Sequence, residues 1–148
     1  MSEDIIEVFV ENEKGSNIKH CYDTKSYQII ESRQVSQAYP YPYGFIPNTK
    51  SGDGEELDCY VITTKHYATG STITCKVIGL LEQKEDHMMD HNIIAVPIDE
   101  TNADPQCLEK ISYFIMNVFK HDPSKHIEVG RFLDKNQALK AIKKAKLN

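Results

Sequence analysis

Short runs rich in Val, Ile, Thr and Tyr follow one another through roughly the first hundred residues, most of them closed by a turn. Ile5 to Glu11 alternates, with Ile6, Val8 and Val10 on one face and Glu7 and Glu11 on the other. Lys14-Gly15-Ser16-Asn17 reads as a turn, followed by short strands near 18–22 and 26–31. Residues 57–63 and 73–81 continue the pattern, and Ile93-Ile94-Ala95-Val96 is a strand stopped by Pro97. Strands this short and this close together favour a small barrel over an open parallel sheet. Beyond them the chain is expected to be mostly helical. Asp104-Pro105 offers an N-cap followed by Pro at the first helical position, and Leu108, Ile111, Ile115 and Val118 mark one apolar face. A second helix is expected from Asp134, with Gln137 as its capping-box partner, running through Leu139 and Ile142. No repeat, low-complexity tract or linker interrupts residues 1–148, which read as a single domain.

Global properties exclude several classes. A chain of 148 residues is large enough to bury a genuine core, and 40% apolar with 26% charged residues is ordinary for a soluble globular protein. The net charge of −5 argues against a nucleic-acid partner, although a divalent metal could still bring an anionic substrate to an acidic site. No apolar run approaches the ~20 residues of a membrane span, and MSEDIIEV lacks the regions of a signal peptide. Cys21, Cys59, Cys75 and Cys107 lie far apart and read as the reduced thiols of a cytoplasmic protein.

Chemistry collects in a few places. Asp53-Gly54-Glu55-Glu56-Leu57-Asp58 puts four carboxylates in six positions, directly before the apolar Cys59-Tyr60-Val61-Ile62. Carboxylates held together at the mouth of a buried strand repel, and a hard divalent cation with oxygen ligands relieves that repulsion. Asp53 and Asp58 suit two ligands converging from a loop and a strand, and Glu55 between them could take a proton from a metal-bound water. The competing reading is a solvated acidic turn, which Asp58 among apolar residues fits poorly. The segment Glu82 to His91 carries Glu85, Asp86, Asp90, His87 and His91. Either its carboxylates complete an oxygen cage, or His87 and His91 pair on a helical turn to bind a transition metal, or the segment is an exposed polar loop. Tyr39-Pro40-Tyr41-Pro42-Tyr43-Gly44-Phe45-Ile46-Pro47 is a stiff run whose tyrosines either present hydroxyls to an anion or fill the core. Lys19, Arg33 and Lys120 are scattered cations, by default solvated, and Glu11 ends the first strand.

Together these residues resemble the soluble family I inorganic pyrophosphatases. Tyr-Pro-x-x-Tyr-Gly-Phe-Ile-Pro-Asn-Thr leads into Asp-Gly-Glu-Glu-Leu-Asp, close to the family's Asp-Gly-Asp-Pro-Leu-Asp. Lys14 to Lys19 looks like the first substrate segment, Glu11 stands eight residues before Lys19, and Asp90 precedes Asn92-Ile-Ile-Ala-Val-Pro97. The resemblance implies an α+β, mainly β fold: a small closed five-stranded (OB-like) barrel with two C-terminal helices. It implies hydrolysis of pyrophosphate to two phosphates by a metal-activated water, with Mg2+ as cofactor and Mn2+ or Zn2+ as substitutes. Asp53, Asp58 and Asp90 would be ligands of the activating metals, Glu85 of the substrate-borne metal, and Glu11 an outer ligand. Lys19, Arg33, Tyr39, Tyr43 and Lys120 would hold the phosphates, and Glu55 takes the place of the general base. A homo-oligomer, hexameric as in bacterial members, is implied as well.

The chain also departs from the family pattern. Glu55 stands for an aspartate, Glu56 for a proline, Asn92 for a lysine and Phe119 for a tyrosine. His20-Cys21 replaces Tyr-Glu, and the stretch from Arg33 to Tyr39 is short. Two further readings follow: a weakened pyrophosphatase-like protein that binds metal or phosphate, and a hydrolase of an organic diphosphate.

Overall fold

A computed structural model describes residues 4–23, 25–50, 55–86, 88–100, 103–120 and 122–147. Among them the elements run β1 (Ile5–Asn12), β2 (Ile18–Asp23), β3 (Gln28–Gln34), β4 (Tyr43–Ile46), β5 (Leu57–Val61), β6 (Thr72–Glu85), β7 (Met88–Met89), β8 (Asn92–Pro97), α1 (Cys107–Asn117), β9 (Ile127–Asp134) and α2 (Lys135–Ala145). β1 pairs β4, β4 pairs β5, β8 pairs β6 and β6 returns to β1, all antiparallel; β5 and β8 run parallel. The five strands close into a barrel, and closure leaves no open edge among them. The long strand β6 makes this work, pairing β1 through Thr72–Lys76 and β9 through Gly79–Glu85. The mainly β barrel with two helices is thus present as expected.

Period-two alternation sorts side chains to two sides of the barrel wall. Leu57, Cys59 and Val61 of β5 join Ile6, Val8 and Val10 of β1 in one core cluster, onto which Ala138, Ile142 and Ala145 of α2 pack. Tyr60 of β5 and Ile94 of β8 point the other way and pack with Ile111, Phe114 and Ile115 of α1. Asp58 has the parity of Tyr60, so β5 aims it out of the barrel core. In β6 the core face switches from Ile73, Cys75 and Val77 to Leu80, and a register shift between Val77 and Gly79 makes the switch. Gly44 is obligatory for a different reason: a Cβ there would meet the Phe9 carbonyl oxygen at 1.7 Å, where β4 lies against β1.

β2 and β3 form a separate hairpin with Lys19 opposite Arg33. Phe9 holds the hairpin through ring contacts to Tyr22 (5.1 Å) and Tyr27 (5.0 Å), and Asn12 Oδ1 accepts the His20 N–H at 2.8 Å.

Three local expectations are corrected. The C-terminal region holds the eight-residue strand β9 between its helices. As an edge strand pairing only β6, with Arg131 bonded to Glu82 (Nε 2.9 Å), it stays half exposed and carries weak alternation. The first helix starts at Cys107, because the Asp104 carboxylate turns back to accept the Gln106 N–H (2.9 Å) and forms a tight turn instead of capping. The segment before His91 is a hairpin, β7 folding back on β6, so the helical spacing proposed for His87 and His91 does not arise. His87 itself lies outside the described residues. By contrast Asp134 caps α2 as expected, accepting the Gln137 N–H at 3.0 Å.

Candidate active site

The cleft lies where the end of β6, the segment before β8 and the residues after α1 meet. Lys19, Tyr39, Tyr43, Glu85 and Asp90 line it together with Phe119, around a small cavity of about 50 Å³. Each residue arrives by a local rule. Strand parity turns Asp58 outward, and the tight β1–β4 approach at Gly44 sets Tyr43 beside it. Bends at Pro40 and Tyr41 interrupt the extended backbone of the tyrosine segment, so Tyr39 and Tyr43 line the cleft while Tyr41 turns aside and donates to Asp104 Oδ2 at 2.7 Å. Tyr39 and Tyr43 also pack as rings, 5.5 Å apart, so they are at once core and cleft.

Charge is crowded on one side. The Asp58 and Asp90 carboxyls are hydrogen-bonding neighbours, and Tyr43 also hydrogen-bonds Asp58. Burial, followed by the charges of Asp90 and Glu11, holds Asp58 well above the usual carboxylate range. Burial also pushes Glu11 up to about 7; Lys19 opposes this, while Glu56 and Glu55 add to it. Burial raises the Tyr39 and Tyr43 hydroxyls as well, leaving them neutral donors at physiological pH.

This donor set suits a hard cation. Its ligands are oxygens, and a divalent ion held between Asp58 and Asp90 would relieve the repulsion of two adjacent carboxylates. Among the described residues no group of three Asp, Glu, His or Cys side chains encloses an ion, and Asp53 lies outside them. Glu85 lines the cleft and pairs with Lys125 at 3.4 Å. Its neighbour Asp86 is turned away at a φ of 48°, its Oδ1 accepting the His126 N–H at 3.1 Å. Geometry therefore favours Glu85 over Asp86 as the cleft carboxylate. His91 Nδ1 accepts the Gln83 N–H (3.2 Å), a structural contact.

Cations reach the same cleft. Lys19 and Arg33 lie over the ring of Phe119 at 4.9 and 5.3 Å, so the hairpin brings both to the cleft. Lys120 is exposed on the turn after α1 and is not among the lining residues. Glu55 is exposed at the approach to β5, with its charge felt at Glu11. Asn92, in place of a cation, is buried and donates to Gln83 Oε1 at 2.6 Å. Sequence reasoning missed Lys125, which lies 5.4 Å from the Phe119 ring. It carries no local signal, since only the fold brings the turn before β9 against the end of β6.

Fold and cleft together define a class: small OB-like barrels that set clustered carboxylates against cations on the outer wall. The family model described as inorganic pyrophosphatase matches residues 8–148. The inorganic pyrophosphatase of Nanoarchaeum equitans is 35% identical over 95% of this chain and 94% of its own. That of Helicobacter pylori (strain ATCC 700392 / 26695) is 31% identical over 93% and 87%. A solved Helicobacter pylori pyrophosphatase superposes with a TM-score of 0.89 at 30% identity, covering 97% of this chain and 92% of that one. One from Neisseria gonorrhoeae gives 0.88 at 28%, covering 97% and 90%. The chain belongs to the inorganic pyrophosphatase family, the soluble family I that its tyrosine and acidic segments resemble.

Proposed function

We propose that this protein hydrolyses inorganic pyrophosphate to two phosphates in a Mg2+-dependent reaction. The observation that carries the reading is one cleft lined by Asp90, Glu85, Tyr39, Tyr43 and Lys19, with Asp58 bonded to Asp90 and Arg33 lying over the Phe119 ring of the cleft wall. Asp53, Asp58 and Asp90 would hold the activating ions, Glu85 the ion that arrives with substrate, and Glu11 an outer one. When bound, such ions supply Lewis-acid charge that activates a water and neutralises the diphosphate. Lys19 and Arg33 attract the phosphates and stabilise charge on the leaving group, with Lys120 available from the turn after α1. Tyr39 and Tyr43, kept neutral by burial, orient oxygens by hydrogen bonding, and Tyr43 also fixes Asp58. Glu55 takes the proton of the attacking water, and its extra methylene relative to aspartate changes the reach of that base.

Phosphate release from pyrophosphate with Mg2+, and then with Mn2+ or Zn2+, tests this beside Asp58→Asn. Wild type should turn over and the variant lose activity by orders of magnitude. No release above the variant with any metal would sink the reading, as would release confined to nucleotide or sugar diphosphates.

Residues 1–148 are taken as one domain, supported by strands from both ends of the chain in one sheet. A homo-oligomer, hexameric as in bacterial members, is supported by Tyr113 and Met116, exposed together on α1. A cytoplasmic location is supported by four free cysteines, and cell fractionation checks it. Among the described residues no helix is long and apolar enough to cross a membrane.

A further inference from the structure

Three cations from three parts of the chain meet on one aromatic ring. Lys19 Nζ, the Arg33 guanidinium carbon and Lys125 Nζ lie 4.9, 5.3 and 5.4 Å from the centroid of Phe119. All three fall inside the ~6 Å range over which the quadrupole of an aromatic face attracts a cation. Lys19 and Arg33 are facing residues of the β2–β3 hairpin, and Lys125 comes from the turn before β9. Like charges brought this close repel, and a group attractive to each offsets part of that cost. The partly buried Phe119 ring is that group, and it forms part of the cleft wall. Of the three cations only Lys125 makes an ion pair among the described residues, to Glu85 Oε1 at 3.4 Å. That carboxylate is the one assigned above to the ion arriving with substrate.

We infer that Phe119 is a positioning residue whose ring face gathers Lys19, Arg33 and Lys125 into a single anion-facing wall. Lys125 is the third substrate-facing cation of that wall: it pairs with Glu85 and would exchange that partner for the diphosphate where Glu85 holds a metal. This rests on the pyrophosphate reading of the cleft. Its content is additional: a residue without a polar atom sets substrate affinity, and a lysine competes with metal for Glu85.

The readout that separates the two is binding of methylenediphosphonate, a diphosphate that cannot be hydrolysed, measured calorimetrically with Mg2+, alongside turnover of pyrophosphate. Phe119→Leu keeps an apolar side chain and removes the ring face. It should weaken diphosphonate binding and raise KM about tenfold with little change in kcat, while Phe119→Tyr, which restores the ring, recovers most of the affinity. Lys125→Met should raise KM and tighten Mg2+ binding in the absence of substrate by a few-fold, with Lys125→Arg close to wild type in both. Combined, Phe119→Leu and Lys125→Met should fall short of the product of their separate effects, because the lysine acts through the ring. Thermal melts of each variant verify folding. Equal losses in Phe119→Leu and Phe119→Tyr, or no loss in the former, would overturn the platform. Unchanged Mg2+ binding in Lys125→Met would overturn the exchange at Glu85. Wild-type protein that binds the diphosphonate in a Phe119-dependent way without turnover would leave this inference standing and remove the enzymatic reading instead.

Discussion

Two tyrosines two positions apart serve opposite ends. The hydroxyl of Tyr41 is bonded to Asp104, which Lys110 also holds at 2.6 Å. Tyr43 bonds Asp58 in the cleft. Tyr43→Phe should therefore lower kcat about tenfold, the effect of one hydrogen bond to a charged group, and leave the melting temperature nearly unchanged. Tyr41→Phe should do the reverse: turnover intact, melting temperature lower by roughly 3 °C. A pH signature belongs to the second. Lys110 first, and then Tyr41, hold the Asp104 carboxyl below its ordinary value of 3.8. A depressed folded pKa contributes stability above the unfolded value and loses it as pH falls through the folded one. The stability gap between wild type and Tyr41→Phe should thus persist at neutral pH and shrink below about pH 4, as thermal melts at stepped pH would show. At this scale sequence had pointed to Tyr39 and Tyr43 as anion donors but left them open as core residues. Their 5.5 Å ring contact in the cleft wall makes them both.

Among the elements, the β1–β4 seam is the least forgiving. The 1.7 Å distance from a Cβ at Gly44 to the Phe9 carbonyl involves backbone, which no rotamer change relieves. Gly44→Ala should cost about 3 kcal/mol or more in urea unfolding, since β4 must move off β1. A cost under about 1 kcal/mol would mean that the seam yields easily. Turnover should fall with it, because Tyr43 is the next residue. Most strands were legible because a barrel wall between two apolar clusters imposes alternation on β1 and β5. β9 was not: an edge strand facing solvent needs few apolar residues, and Glu128, Gly130 and Arg131 blur its period. The start of α1 was misread because Asp104 satisfies a backbone N–H in a turn as readily as at a cap.

For the molecule as a whole, exposed apolar surface is concentrated on a few elements. Tyr113 and Met116, 61% and 56% exposed, lie three residues apart on α1 and share one helix face. If that face joins copies of the chain, sedimentation should give a hexamer for wild type. Tyr113→Glu with Met116→Glu should then give smaller species that still fold. A monomeric wild type at micromolar concentration would remove the proposal.

The order of the tyrosine segment, the acidic segment and Asp90 was enough to settle fold class and family, since each is contiguous and carries its meaning locally. Parity alone turned Asp58 out of the barrel core. What the tertiary structure decided are relations between distant positions. Asp86 bonds the backbone of His126 while Glu85 stays in the cleft; His91 serves the backbone of Gln83; Lys120 stays exposed. Phe119, read from sequence as a lost hydroxyl, is the ring on which residues 19, 33 and 125 converge. A quadrupole acts only within a few ångströms, and that proximity exists only once hairpin, helix end and turn are folded together.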